Sequence, residues 1–420
     1  MTAVAVRLVD LVERLVGARL PIGLSAWDGS RAGAADGPCV VLRSPRTLRH
    51  ILWQPGELGL ARAYVTGDLD VEGDLAEGLS RFWRLGARPR VRPTPAQWWE
   101  IARLAGAVGA LGPRPAPPAA EARLSGRPHS RRRDQSAIAH HYDLSNDFYR
   151  LLLDPHLAYS CGYWTSTDPG YSLHDAQTDK LDLICRKLDL RPGQRLLDVG
   201  CGWGSLILFA AEHYGVQAVG VTLSRQQHDH VRARAGAGVE VRLEDYRDID
   251  DPPFDAVASI EMGEHVGEQN YPTYAATLHR LLKPEGRLLL QQMSRGTTAP
   301  GGGAFIETYI APDMTMRPVG ATLNHLTEAG FEIRDVEAIR EHYARTCRAW
   351  LTTLEQRWAE VIALIGTEQA RVWRLYLAGG ALAFEENRMG VDQIIAVHTT
   401  TGGHSGMPAV RGLPEQAAHG

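Results

Sequence analysis

The strongest constraint on this chain is an alternation that starts near residue 194. Short apolar runs take turns with segments of helical spacing. QRLLDVG (194–200) reads as a strand, SLILFAAEHYG (205–215) as a helix closed by Gly215, QAVGVTL (217–223) as a second strand, and RQQHDHVRARAG as a second helix. VEVRLED (239–245), DAVASIE (255–261) and GRLLLQQM (286–293) are further strands, and TYAATLHRLLKPEG (273–286) is a helix with a glycine-terminated end. FEIRDVEAI (331–339) and VDQIIAVHT (391–399) supply the last two strands. Strands alternating with helices predict a parallel, doubly wound α/β sheet. Ligands of such sheets sit at the carboxyl ends of the strands, where the strand order reverses.

The first strand meets the first helix at LLDVGCGWG (196–204), where Gly200, Gly202 and Gly204 allow a tight turn and close approach to a ligand. A lone GxGxG is weak evidence, because dinucleotide enzymes use a similar loop. Here Asp198 precedes the glycines, Ser205 breaks the nicotinamide fingerprint, and VTLSRQQ (221–227) offers no acidic residue at the end of the second strand.

Composition narrows the rest. A length of 420 residues predicts two domains. The net charge of −4 argues against a global basic field for nucleic acid. The five cysteines are scattered and include no CxxC pair, which fits a reducing cytoplasm and argues against a disulfide framework or structural zinc. In VRLVDLVERLVGARL, Leu8, Leu11, Val12 and Leu15 have helical spacing, and interior charges exclude a secretory leader. No run is long enough for a transmembrane helix, so a lipid substrate would be met at the membrane surface. Residues 1–85 read as a small mixed domain, with CVVLRS (39–44) a strand and LAEGLSRFWRL (75–85) a helix. Residues 86–134 are rich in proline and include six arginines between 112 and 134; they read as a solvated linker that also offers a basic strip to anionic headgroups. Residues 135–400 hold the alternating strands and helices as a second domain, and 401–420 read as a flexible tail.

Several motifs occur in order: IAHHYDLSNDFYRLLLDPHLAYSCGYW (138–164), LLDVGCGWG, GVTLSRQQ (220–227), EDYRD (244–248), EMGEHVG (261–267), ETYIAPD (307–313) and HYARTCRAW (342–350). On these the chain resembles the cyclopropane-fatty-acid synthase family of class I S-adenosylmethionine (SAM) methyltransferases, which includes the mycolic acid cyclopropane synthases. The resemblance implies a seven-stranded sheet, six strands parallel and one antiparallel, with a helical insertion at about 300–385 over an acyl pocket. Residues 1–85 are similar, more loosely, to the extra α+β domain of the phospholipid-acting members. The resemblance places the Gly200–Gly204 loop against the methionine part of SAM, Thr222 and Gln227 by the ribose, Asp245 and Tyr246 at the adenine, and Tyr142 and Ser160 over the pocket, with Asp198 also counted among the cofactor-binding residues.

In the family, an alkene attacks the SAM methyl and leaves a carbocation, which must then lose a proton away from water. The resemblance implies bicarbonate as the base, caged by Cys161 (through its backbone N–H), Glu264, Gln291 and Tyr343. Two departures stand out: Gln291 replaces a histidine found in many members, and Glu261 puts a carboxylate where many members have a neutral residue. Methyl transfer is left intact, while proton removal can close a cyclopropane or leave a methylene branch. Gln291 favours the branch, which a separate reductase would turn into a methyl. Expected partners are unsaturated phospholipid acyl chains at the inner membrane face, reached peripherally from the cytoplasm, with a homodimer allowed for. N-methylation of a small amine, and a non-catalytic lipid- or SAM-binding protein, are the competing readings. His265 is expected to support the site by packing, and no metal site is expected.

Overall fold

A computed structural model of the chain describes residues 3–86, 94–122, 124–131, 133–134, 145–296 and 302–410. They divide into two compact units: Met1–Glu121 with Gly303–Tyr309 and Trp358–Leu382, and Ala122–Gly302 with Ile310–Arg357 and Ala383–Gly420.

The first unit carries a four-stranded sheet of β1 (Gly23–Ser25), β2 (Arg31–Gly33), β3 (Cys39–Leu42) and β4 (Leu69–Glu72), in the order β2-β1-β3-β4. Its opening helix, Val4–Val16, buries Ala5, Leu8, Val9 and Leu11 and stops at Gly17 in the left-handed conformation. Within the stretch expected to be linker lies a helix, Pro95–Ala107. Thr94 and Gln97 form a reciprocal capping box at its start and Pro95 takes the first turn, so TPAQ is itself the helix signal. Two segments expected within the catalytic insertion also belong to this unit. Tyr309 donates to Glu121 (2.9 Å), which also takes both Arg62 nitrogens (2.7 and 3.0 Å). Arg371 donates to the carbonyls of Tyr64 (2.6 Å) and Leu69 (2.8 Å) and lies over the Tyr64 ring.

The second unit is a seven-stranded sheet of β5 (Arg195–Val199), β6 (Gln217–Thr222), β7 (Val239–Leu243), β8 (Phe254–Ile260), β9 (Leu282–Ser294), β10 (Glu332–Ala338) and β11 (Gly390–Val397). The order is β10-β11-β9-β8-β5-β6-β7, and only β11 runs against its neighbours. Central strands are buried along nearly their whole length, while the edge strands β7 and β10 are half exposed. Order reverses at β5, which pairs with both β6 and β8, so the crevice opens above the carboxyl ends of β5 and β8.

One expected element is corrected. The helix read over 273–286 runs Tyr271–Arg280, and β9 begins at Leu282. Pro284 has no N–H to continue a helix, so Gly286 lies inside a strand rather than at a helix end. Two arginines of the basic strip are engaged within this unit. Arg131 pairs with Asp248 (2.7 Å) and Arg133 with Asp313 (2.5 Å), each through two nitrogens; the Arg133 pair is largely buried and the Arg131 pair is exposed.

Candidate active site

The glycine loop leaves β5 with all three glycines at positive φ: Gly200 at 86°, Gly202 at 54° and Gly204 at 84°. They serve different ends. A Cβ on Gly204 would meet Val231 at 2.9 Å, and Gly204 does not line the cavity. A Cβ on Gly202 would meet nothing within 4 Å, because that glycine faces the open cavity.

Asp198, Gly200, Gly202, Thr222, Gln227, Asp245, Tyr246 and Ser160 all line this one cavity in the second unit. Tyr142 lies outside the described residues. Thr222 donates to Gln227 Oε1 at 2.7 Å, and Ser224 caps the helix Arg225–Arg234. Asp245 accepts from the Arg247 backbone (3.0 Å) and from two of its guanidinium nitrogens (2.7 and 2.5 Å). Burial pushes the Asp245 carboxyl up, but these bonds outweigh it and hold the group below the usual carboxylate range. The Tyr246 ring meets Tyr274 edge-on at 5.4 Å, and its hydroxyl is buried without a partner.

Sequence reasoning missed Lys180. It sits in the helix Leu173–Lys187, buried, on the cavity wall, with Nζ donating to Ser160 Oγ at 3.0 Å. Burial lowers its pKa while Glu261, Asp154 and Asp198 pull it back up. Asp198 is pushed to about 7 by burial, against the pull of Lys180, and its Oδ1 has no partner among the described residues. A buried, unpartnered carboxylate oxygen beside an open glycine fits the ammonium end of a SAM molecule, so the residues present suit that cofactor.

The cavity is also lined by Glu261, the first residue after β8, held at φ 53°. Its Oε1 accepts from the Cys161 N–H (2.9 Å) and from Gln291 Nε2 (2.7 Å), and its Oε2 accepts from the Tyr343 hydroxyl (2.5 Å). Burial raises its pKa, and these three donors and Lys180 oppose the rise. Cross-strand register builds the arrangement: Ile260 pairs with Gln291 on β9, and Gln291 pairs with Gln393 on β11. Gln393 donates to Gln291 Oε1 (2.9 Å) and accepts from Lys187 (2.8 Å), which leaves the Gln291 amide nitrogen to face Glu261. Tyr343, from the helix Arg340–Gln356, stacks on Phe384 at 4.4 Å and meets Trp350 edge-on at 6.2 Å.

The structure thus brings Cys161, Gln291 and Tyr343 together, but around Glu261 and not around Glu264. Glu264 lies three residues on in a 3-10 turn, fully buried; its Oε1 accepts from the Met293 N–H and its Oε2 has no partner among the described residues. Burial, and then the Glu261 charge, push it up to about 8, so it holds a proton at neutral pH. A bicarbonate does not fit this donor set. The three groups expected to cage it already donate to Glu261, and a second anion would lie against that carboxylate. His265 lines the cavity and is held neutral by burial, at about 4. The Cys161 thiol donates to the Gly162 carbonyl at 3.3 Å, and burial pushes it well above the thiol range. Among the described residues, Asp154, His156 and His174 lie close enough to share a metal, yet both Asp154 oxygens already accept backbone N–H groups at 3.0 Å.

Residues 129–394 match the family model described as mycolic acid cyclopropane synthetase. The chain is 37% identical over 409 residues, 92% of its length and 93% of the relative's, to a probable fatty acid methyltransferase of Mycobacterium tuberculosis. It is 34% identical to the cyclopropane-fatty-acyl-phospholipid synthase of Escherichia coli K12, over 87% of this chain and 90% of that one. The crystal structure of the mycolic acid cyclopropane synthase CmaA1 complexed with SAH and CTAB superposes with a TM-score of 0.59 at 33% identity, covering 62% of this chain and 97% of that one.

Proposed function

The chain belongs to the mycolic acid cyclopropane synthetase family and is a SAM-dependent methyltransferase of that type, and from that premise we propose that it methylates the double bond of an unsaturated phospholipid acyl chain to leave a methylene branch. When bound, SAM supplies a methyl group on a sulfonium; the alkene's π pair forms the new C–C bond as the C–S bond breaks. The observation that carries the reading is a hydrogen-bonded carboxylate on the cofactor cavity, donated to by a tyrosine that packs among other rings. The aromatic faces of Tyr343, Phe384 and Trp350 suit a transient cation, and the carboxylate suits its deprotonation. Asp198 and the Gly200–Gly204 loop bind and orient, which is worth up to ~7–11 kcal/mol of the barrier.

Phospholipid is favoured over a carrier-bound chain by the extent of the similarity. Curated cyclopropane mycolic acid synthases match only 60% of this chain while spanning 93% of their own length. The phospholipid synthase and the fatty acid methyltransferase match most of it. The branched product is supported by Gln291 in place of the histidine found in many members of the family. To reach it, the hydrogen on the methylated carbon moves to the neighbouring cation, and the new methyl then loses a proton to give an exocyclic C=CH₂. A reductase would complete the methyl branch.

The work would be done peripherally at the cytoplasmic face of the membrane. No helix among the described residues is long and apolar enough to cross one. The first unit exposes Trp53, Trp98 and Trp99, a side chain suited to the headgroup boundary. The test is incubation with methyl-labelled SAM and vesicles of a monounsaturated phospholipid, followed by NMR of the released acids. An exocyclic methylene signal is expected. Upfield ring protons would replace the branch by cyclopropane formation, and unlabelled lipid with SAM bound would sink the lipid reading.

A further inference from the structure

We infer that the Glu261 carboxylate, and not a bound bicarbonate, takes the proton released by the methylated acyl chain. This rests on the lipid-methylation reading above. In the step, a C–H bond of the cationic chain breaks, its electron pair becomes the new carbon–carbon bond, and the proton forms an O–H bond on Glu261.

Four observations converge on that side chain. Glu261 lines the cofactor cavity, so it stands on the wall that the reacting carbon must approach. Its two oxygens take all three donors of the cage: the Cys161 N–H, the Gln291 amide and the Tyr343 hydroxyl. Its backbone is held at φ 53°, a conformation costly for a side-chain-bearing residue and found where surroundings over-determine a functional position. Its neighbour Glu264 is pushed up to about 8 by burial and then by the Glu261 charge, whereas Tyr343, Cys161, Gln291 and Lys180 all favour the charged form of Glu261. Gln291 fits the same scheme. A base built into the protein needs a fixed donor toward its oxygen, and the Lys187–Gln393–Gln291 chain orients one.

The experiment uses the full chain, methyl-labelled SAM and vesicles of a monounsaturated phospholipid, in buffer stripped of carbon dioxide and then with bicarbonate restored. In parallel, binding of ¹³C-bicarbonate to the protein with S-adenosylhomocysteine is followed by NMR line broadening. Wild-type turnover is expected to be the same with and without bicarbonate, and the wild-type protein should not broaden the bicarbonate line. Glu261→Gly is expected to lose roughly 100- to 10,000-fold in turnover, to bind bicarbonate in the emptied cage and to regain part of its rate from it. Glu261→Gln, whose amide fills the cage, should keep its affinity for SAM, lose turnover and gain nothing from bicarbonate. A wild-type rate that collapses on stripping and returns with bicarbonate overturns the inference; so does competable bicarbonate binding by the wild type, or a Glu261→Gln protein of wild-type rate. Should the vesicles never be labelled, the lipid reading fails, and the NMR arm still decides between bicarbonate and carboxylate in the cage. The wild-type arms stand even if a variant does not fold.

Discussion

At the scale of single residues, two glutamates three positions apart have exchanged the expected parts. Glu261 pays a conformational cost to face the cavity, while Glu264 turns inward onto the Met293 backbone. Replacing Glu261 by glycine relieves strain of roughly 1–3 kcal/mol and removes a carboxylate that burial disfavours, but leaves three donors to find water. The thermal midpoint of Glu261→Gly is therefore expected to stay level or rise while turnover falls, a separation that scanning calorimetry beside the labelling assay would reveal. Glu264 contributes to the pH dependence in the same direction as Asp198, whose carboxyl burial pushes to about 7. The Glu264 pKa rises from an ordinary 4.5 to about 8 on folding, so folding favours the protonated form. That contribution is complete below about 4.5 and is lost as pH climbs through about 8. Denaturation midpoints should decline across this window, and Glu264→Gln should flatten the decline; an unchanged slope would mean that Glu264 does not titrate there.

At the scale of elements, the site is a product of strand register. Ile260, Gln291 and Gln393 lie side by side on β8, β9 and β11, and the pairing carries the orientation of Gln291 back to Lys187. Gln393→Leu leaves the Gln291 carbonyl without its donor and the Lys187 ammonium without one acceptor, at a cost of ~1–3 kcal/mol. It should lower kcat with little change in SAM affinity, because it touches the cage and not the glycine loop. An equal fall in SAM affinity would point to general loosening of the sheet. Within the loop, the glycines are not equivalent. Gly204→Ala meets both a positive φ and Val231 at 2.9 Å, and should destabilise by ~1–3 kcal/mol in denaturant titration.

The whole molecule is less linear than its sequence. The first unit gathers Gly303–Tyr309 and Trp358–Leu382 to residues near the start of the chain: Tyr309 reaches Arg62 through Glu121, and the buried Arg371 ties the later segment to Tyr64 and Leu69. Arg131 and Arg133 pair with Asp248 and Asp313, while Trp53, Trp98 and Trp99 are exposed, so the proposed membrane contact is assigned to the aromatic side chains. Trp98→Ala with Trp99→Ala should weaken sedimentation with vesicles by several-fold without changing SAM binding. Arg133→Ala should instead lower stability and leave vesicle binding alone; the reverse pattern would restore the basic strip as the lipid contact.

The sequence by itself determined the doubly wound sheet, its glycine loop and its family. Strands buried on both faces read as continuous apolar runs, and a strand–glycine–helix junction is a local pattern. The capping box that starts Pro95–Ala107 was also local and could have been read. What only the tertiary structure decided is non-local. Which of Glu261 and Glu264 meets Tyr343 depends on one backbone dihedral and on a helix some 80 residues further along the chain. That Lys180 belongs to the cavity wall depends on how its helix packs, since an isolated lysine in a helical run carries no sign of burial. The membership of Trp358–Leu382 in the first unit arises from contacts across some 300 residues, where no periodicity can point.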